Sequence, residues 1–541
     1  MRDLAYLKLL SREYPNIRAA ASDIINLQAI CGLPKGTEYF FSDLHGEHEA
    51  FIYLLRSSSG IIREKIRETF GHIISEEDEV RLANLIYYPE KMINQIKQAN
   101  EYTEDWQKTA VYRLVQICRE VSSKYTRSKV RKKMPKEFSG VIDELLYVDN
   151  TDDNKTEYYS ELINTLIDVR VADSFIVVIC SLIRSLTIDN LHILGDIFDR
   201  GPRPDIILEE LMHFHDVDIQ WGNHDISWMG AATGNRACIC NVLRMALGYN
   251  GFDVLEDGYG INLRPLSMFA ERVYRDDPCT CFLPQILDKN IYDAVDPKLA
   301  AKMHKAIAVL QYKEEGQIIK RHPEYGMEER ILLSAIRYDR GTVTIDGKEY
   351  PMRDMNFPTV DPADPLRLTD EEEELLHTLE LSFRHNARLH EHVRFLYSNG
   401  SMYKCCNSNL LYHGCIPMTE NREFDGLMVG GKMYRGKELM DFIDTQVKNA
   451  YFLPEDAPEK EACRDFMWYL WNGAKSPVFG KDKNRSFEHY FIEDPEVMRE
   501  TMNPYYQLSE EEETCDMILK EFGLPTKGSH IINGHMPVKI K

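Results

Sequence analysis

No stretch of this 541-residue sequence can cross a membrane as a helix: the longest apolar run, Phe175–Ile183, falls far short of the roughly 18 to 20 residues required. Positive charge is scarce as well. Lys and Arg total 65 against 87 Asp and Glu, a net charge of −22, which disfavours a protein that coats nucleic acid or an anionic membrane. Cysteine usage is ordinary, at 12 residues, and the close pairs Cys238/Cys240, Cys279/Cys281 and Cys405/Cys406 lack the usual spacing of structural zinc ligands. Reduced, mostly packed thiols are expected, not a disulfide framework. Repeats and low-complexity tracts are missing, and Arg2, Asp3 and Lys8 precede any apolar stretch, so no secretory signal is visible. What is present, 43% hydrophobic and 10% aromatic residues, rules out a mainly disordered chain. A soluble, cytoplasmic, folded protein with a sizeable core is expected.

Along the chain, apolar spacing at Leu4, Leu7, Leu10 and again at Ile24, Ile25, Leu27 and Ile30 predicts one or two helices within residues 1–30. Short strand-like runs follow at Tyr39–Phe41, Leu191–Leu194, Val217–Trp221, Leu410–Tyr412 and Ile531–Ile532. The intervening stretches are long, charged and helical in pattern. Asp346-Gly347 interrupts one of them as a hairpin turn, and the Pro- and Asp-rich Phe357–Pro365 reads as a connector. The fold class is therefore α/β, with core pieces separated by large helical insertions. The pieces are residues 1–46 (amino-terminal helices and first core strand), 186–240 and 401–541, and the insertions are 47–185 and 241–400.

Five segments share one plan, an apolar strand-like run ending in a loop with His, Asp or Asn. They are Phe40-Phe-Ser-Asp-Leu-His-Gly46, Leu194-Gly-Asp-Ile-Phe-Asp-Arg-Gly201, Gln220-Trp-Gly-Asn-His-Asp225, Leu411-Tyr-His-Gly414 and Ile532-Asn-Gly-His535. Ligands in α/β proteins gather at the carboxyl ends of strands, so loops this far apart in sequence can converge on one point. Asp43, His45, Asp196, Asn223, His413 and His535 offer three imidazoles, two carboxylates and one amide oxygen. That set suits Mn²⁺, Fe, Zn or Mg and carries too few carboxylates for a Ca²⁺ cage. Six ligands exceed one catalytic metal's usual three but suit two metals sharing a carboxylate, an arrangement that clamps a phosphate and activates water.

These motifs resemble those of the calcineurin-like metallophosphatases. The wider context is similar to one family among them, the class III fructose-1,6-bisphosphatases of Gram-positive bacteria. Leu33-Pro-Lys-Gly-Thr-Glu38, Thr359-Val-Asp-Pro-Ala-Asp-Pro365, Tyr469-Leu-Trp-Asn-Gly-Ala-Lys-Ser-Pro477 and Asn533-Gly-His-Met-Pro-Val538 carry this second resemblance. It implies a β-sandwich core flanked by helices and a dinuclear site, with Mn²⁺ favoured. Asp43, His45 and Asp196 would hold one metal, and Asp196 would bridge to a second held by Asn223, His413 and His535. His224 would protonate the leaving alkoxide, Asp199 would orient it, and Arg200 would hold phosphate oxygens. The implied reaction is hydrolysis of fructose 1,6-bisphosphate to fructose 6-phosphate, in gluconeogenesis. Family members continue well past the final histidine, whereas this chain stops six residues after His535, as a truncated or a naturally shortened chain would, and this bears on how His535 packs and hence on occupancy of the second metal.

A bisphosphate needs basic side chains beyond the metals, and Lys475, Lys481, Lys483 and Arg485 are the candidates. The partner expected is thus a small sugar bisphosphate, with no nucleic acid and no membrane; a homo-oligomer stays open. Two other readings share the motifs: a phosphoprotein phosphatase, and a catalytically impaired regulatory scaffold. Other features read blandly. Gly426–Lys432 is most of a phosphate loop, but Met433 replaces the required Ser/Thr, so a β-hairpin or loop is expected. His385, His390 and His392 do not give an i, i+4 metal pair, and the basic cluster Lys124–Lys136 reads as an exposed helix end. Thr369-Asp-Glu-Glu-Glu-Glu374 reads as a helix start matched to its dipole.

Overall fold

A computed structural model describes residues 2–147, 153–285 and 296–537. The chain is mixed α/β and mostly helical. Its strands, in chain order, are β1 (Glu38–Phe41), β2 (Asn190–Ile193), β3 (Val217–Gln220), β4 (Ile336–Arg337), β5 (Thr342–Ile345), β6 (Lys348–Pro351), β7 (Gly400–Ser401), β8 (Tyr403–Cys406), β9 (Asn409–Tyr412), β10 (Gly426–Val429), β11 (Lys432–Arg435) and β12 (His530–Asn533). Two compact units form, one from Met1–Tyr39 with Ile52–Leu191 and the other from Phe40–Phe51 with His192–Lys541.

The first unit is built on helices. Helix Ala172–Thr187 contains the longest apolar run and buries Phe175, Ile176, Ile179, Cys180, Leu182, Ile183 and Leu186, the 3–4 spacing of one wide face. That face meets helix Glu104–Ser122, which buries Val111, Leu114, Val115, Ile117 and Cys118 and is capped by Thr103, whose side chain accepts the Trp106 N–H. The basic stretch Lys124–Lys136 is not a free helix end. Buried Asp189 takes the ammonium of Lys129 at 2.7 Å and that of Lys133 at 3.6 Å, accepts the Thr37 N–H at 3.0 Å, and receives the Tyr125 hydroxyl. Arg131 pairs with Asp143 at 2.7 Å, and Arg127 lies over the Tyr147 ring. A buried carboxylate gathers these cations because leaving it unpaired is far costlier than ordering them.

In the second unit two small sheets matter for function. One has the order β1-β2-β3-β7, with β3 parallel to β7, and the unit boundaries fall inside β1 and β2. The other has the order β12-β9-β8, with β12 parallel to β9 and β8 antiparallel to it. All four residues of β9 are buried, so this strand forms the middle of its sheet and of the local core. The hairpin at Asp346-Gly347 is present between β5 and β6, and both turn residues have positive φ (49° and 79°), as a two-residue turn of this kind requires. Gly426–Lys432 is likewise a hairpin, β10–β11, turning at Gly430-Gly431.

Helix Asn223–Thr233 is buried along its whole length, and the 25-residue helix Pro297–Arg321 nearly so. Polar groups on so buried a helix must be satisfied internally. Lys305 therefore meets Asp277 at 2.5 Å and Asp354 at 2.6 Å, while Lys313 meets Glu372 at 2.7 Å. Glu372 belongs to the expected helix start: Thr369 and Glu372 form a capping box on helix Asp370–Arg384. His392 is a buried structural histidine, 3.0 Å from the Tyr259 hydroxyl. Among the described residues no helix is long and apolar enough to cross a membrane.

Candidate active site

The loops that leave β1, β2, β3, β9 and β12 meet in the second unit. Backbone bonds stitch the first two together: Asp43 N–H donates to Gly195 C=O, His45 N–H to Asp196 C=O and Gly46 N–H to Ile197 C=O. Such tight crossing forces unusual backbone. Asp43, His45, Asp196, Asp199, Arg200 and His535 all have φ between 43° and 72°, the left-handed region that costs a non-glycine residue about 1 kcal/mol or more. Gly222 marks the closest approach, since a Cβ there would sit 2.1 Å from Asp196 Oδ1.

Asp196 is the hub. Its Oδ2 lies 3.3 Å from His413 Nε2 and 3.9 Å from His45 Nε2, and its Oδ1 accepts the His224 N–H at 3.1 Å. Ligand atoms of His45, Asp196 and His224 fall within 4.8 Å of one another, and so do those of Asp196, His413 and His535. Each imidazole is oriented from behind by a carbonyl: His45 Nδ1 faces Phe198 C=O at 3.1 Å, His413 Nδ1 faces Leu194 C=O at 2.6 Å, and His535 Nε2 faces Phe479 C=O at 3.2 Å. A ring N–H spent on a carbonyl leaves the opposite nitrogen as the lone-pair donor, the usual arrangement behind a metal ligand. His535 thereby presents Nδ1, 3.2 Å from His413 Nε2, and its own N–H donates to Asp43 Oδ2 at 3.0 Å.

The electrostatics follow from this crowding. Burial opposes charge on Asp196, yet the facing His413, His224 and His45 hold its carboxyl well below the usual range. Burial also opposes charge on His413, but Asp196 keeps its pKa up at about 9. His45 is pushed down to about 4 by burial, then by the charge of His224, and His535 to about 3 by burial and then by His413.

His224 is buried and turned to different partners. Its Nδ1 lies 2.7 Å from Asp199 Oδ2, and the other carboxylate oxygen, Oδ1, accepts the Trp228 indole N–H at 2.8 Å. Asp196 and Asp199 raise the His224 pKa against the opposing effect of burial. Arg200 is exposed at this edge, close enough for its charge to help depress His45.

The donor set fits a pair of divalent cations. Two clusters share one carboxylate, and the side-chain oxygen of Asn223 is buried with no hydrogen-bond partner among the described residues. A buried acceptor left unmade is costly unless something occupies it, and a cation does so.

The structure brings together Asp43, His45, Asp196, Asp199, Arg200, Asn223, His224, His413 and His535. The basic residues proposed for substrate are otherwise engaged. Lys475 pairs with Asp425, Lys483 with Asp346 at 2.5 Å, and buried Arg485 with Glu488 at 3.2 Å and Asp346 at 3.3 Å. Lys481 pairs with Glu500 at 2.6 Å but also lies near enough to His535 to lower its pKa. Sequence reasoning passed over three residues. Asp225 is wholly buried and its carboxylate accepts N–H groups from Asp196, Ile197 and Gly222 at 2.8–2.9 Å, clamping two ligand loops. Its position three residues after Gly222 at a helix start was the available signal. Trp228 anchors Asp199, and Trp471 stands edge-on to His224 with ring centroids 4.9 Å apart.

Among known proteins, the family model described as Firmicute fructose-1,6-bisphosphatase matches residues 5–541. A fructose-1,6-bisphosphatase class 3 of Clostridium tetani is 51% identical over 539 residues, covering 100% of this chain and 81% of the relative. One of Bacteroides fragilis is 51% identical over 538 residues, covering 99% and 81%. No solved structure matches the chain. With the whole sequence aligned and half of it identical, this chain belongs to the Firmicute fructose-1,6-bisphosphatase family.

Proposed function

We propose that the chain is a phosphomonoesterase that hydrolyses fructose 1,6-bisphosphate to fructose 6-phosphate and phosphate, a gluconeogenic reaction in the cytoplasm. One observation carries the reading: in a chain of this family, five distant loops converge so that Asp196 is shared by two ligand clusters. We take the two small sheets as the two faces of a calcineurin-like sandwich, with 47–185 and 241–400 as insertions into it. In this reading Asp43, His45 and Asp196 hold one divalent cation, Mn²⁺ being favoured, and Asp196, Asn223, His413 and His535 hold the other. Bound there, such a pair supplies Lewis acidity and a water of lowered pKa.

The remaining roles belong to the chain's own side chains. Arg200 meets phosphate oxygens at the exposed edge, where a planar guanidinium gives paired contacts. His224 donates its proton to the sugar oxygen as the P–O bond breaks, which removes the cost of expelling an alkoxide. Asp199 keeps the imidazole aligned and stabilises its charged form, and Trp228 holds Asp199 in turn. Of the four basic residues between 475 and 485, Lys481 is the best placed for a phosphate, since its charge already reaches His535. The full-length family match gives the phosphoprotein and scaffold readings no support.

The test is phosphate release from fructose 1,6-bisphosphate with Mn²⁺, run beside an Asp196→Asn variant and a phosphopeptide. Turnover of the sugar that Asp196→Asn abolishes is expected. Turnover of the phosphopeptide alone sinks the substrate assignment, and turnover unchanged by Asp196→Asn sinks the site.

A further inference from the structure

Four of the chain's five tryptophans lie in the second unit, and three of them spend the indole N–H on a protein acceptor. Trp221 donates to Leu396 C=O at 3.0 Å, Trp228 to Asp199 Oδ1 at 2.8 Å and Trp468 to Glu315 Oε1 at 3.1 Å. Trp471 differs: its Nε1 is buried and has no hydrogen-bond partner among the described residues. A buried indole usually finds an acceptor, and a donor left unmade lowers stability. Loose packing does not explain the unmade bond, because this stretch is firmly held. Trp471 is the penultimate residue of helix Lys460–Asn472. Just beyond it the Ser476 hydroxyl donates to Leu470 C=O at 2.6 Å, and Pro477 C=O accepts the N–H of Cys415, two residues past His413, at 2.8 Å.

What this placement secures is a contact with His224. The two rings meet edge to face, with centroids 4.9 Å apart and planes at 82°. His45 stands against the same imidazole at 5.0 Å and 89°, and Asp199 Oδ2 lies 2.7 Å from its Nδ1. Two rings and a carboxylate thus bound the imidazole, whose side chain is only 4% exposed. The bond to Asp199 fixes where Nδ1 lies but lets the ring swing about that bond, and a broad, rigid indole against it limits the swing. Side chains at working sites commonly give up stability for such a role. We propose that Trp471 is a positioning residue: its ring holds His224 in the orientation from which a proton reaches the leaving sugar oxygen. The inference rests on the role assigned to His224 above.

The test uses the leaving group to separate proton donation from the rest of the reaction. A sugar alkoxide needs a proton as the P–O bond breaks, whereas p-nitrophenolate departs as a stable anion. Turnover of fructose 1,6-bisphosphate and of p-nitrophenyl phosphate with Mn²⁺ is measured for wild type, Trp471→Phe, which keeps an aromatic ring, and Trp471→Leu, or Trp471→Met where the leucine variant does not fold. Trp468→Leu, on the same helix, serves as control, and circular dichroism verifies each fold. In Trp471→Leu the ratio of sugar to p-nitrophenyl turnover should fall roughly ten- to a hundredfold, the range that a misplaced reacting group costs. The fall should lie in kcat, with KM for the sugar within about threefold of wild type. Trp471→Phe should recover most of the ratio, and Trp468→Leu should leave it unmoved. Equal losses on both esters, or a loss carried by KM, overturn the proposal, since a merely structural tryptophan affects both esters alike. A wild type inert on the sugar refutes the assigned reaction and this role with it, whereas sugar turnover that Trp471→Leu does not slow refutes the role alone.

Discussion

Replacing Asp189 by asparagine keeps the side chain's size while removing the charge on which the first unit's basic stretch converges. The costs can be worked contact by contact. Lys129 is 46% exposed, so water takes over most of what the carboxylate gave it, and about 0.5 kcal/mol is lost. Lys133 is 16% exposed and lies farther away, at 3.6 Å, and its poorer access to water makes the loss about 1 kcal/mol. Tyr125 keeps an acceptor in Leu186 C=O, 2.9 Å away, and loses little. The Thr37 N–H, 3.0 Å from Asp189 Oδ2, faces either an amide oxygen or an amide NH₂, and an unmade bond there costs about 1 to 3 kcal/mol. The total is about 2.5 to 4.5 kcal/mol, a large part of the 5–15 kcal/mol typical of a folded domain. Urea unfolding followed by circular dichroism measures it, and double-mutant cycles apportion it: coupling to Lys133→Met should exceed coupling to Lys129→Met. A total below 1 kcal/mol, or the reverse order of couplings, refutes the claim that this buried carboxylate organises the stretch.

Gly222→Ala drives a Cβ to 2.1 Å from Asp196 Oδ1, so divalent-cation binding measured by calorimetry should be lost while the helical signal persists. Trp228→Phe removes one hydrogen bond to Asp199, worth about 1 kcal/mol, and kcat should fall about five- to tenfold with KM nearly unchanged. A fall in KM affinity with constant kcat would show that Trp228 acts on binding instead. Buried His304 faces Phe282 C=O and the Tyr490 hydroxyl, both at 2.9 Å, and burial pushes its pKa down to about 3. Its neutral form therefore favours the fold fully above pH 6.5, and that contribution drains away as pH falls toward 3, because the unfolded chain takes up the proton first. Between pH 7 and pH 5 wild type should lose about 2 kcal/mol more stability than His304→Gln, and equal losses would exclude the mechanism.

The candidate-site motifs were legible because each is local: a strand-like run and a loop with a glycine close to the candidate residue, all within eight residues. Likewise the turns Asp346-Gly347 and Gly430-Gly431 were readable, since positive φ at both positions leaves few alternatives to such residues. What escaped was set by partners remote in sequence. Lys129 and Lys133 look like a solvated helix end until Asp189, more than fifty residues on, folds beneath them. Lys475, Lys483 and Arg485 look free for a phosphate until Asp425 and Asp346 reach them. Asp225 was in plain view within Gly-Asn-His-Asp, but its three N–H partners lie on two loops whose meeting no single segment announces.

The placement of the tryptophans has a spectroscopic consequence. Of the five in the chain, Trp106 alone lies in the first unit, while Trp228 bonds to Asp199 and Trp471 touches the His224 ring. Indole emission is sensitive to nearby charge and to ring contact, so light from a Trp106→Phe protein comes from the second unit alone, and part of it from side chains that touch His224 and Asp199. A stopped-flow instrument can then test, without any label, whether a divalent cation or a sugar phosphate fills this site and how fast.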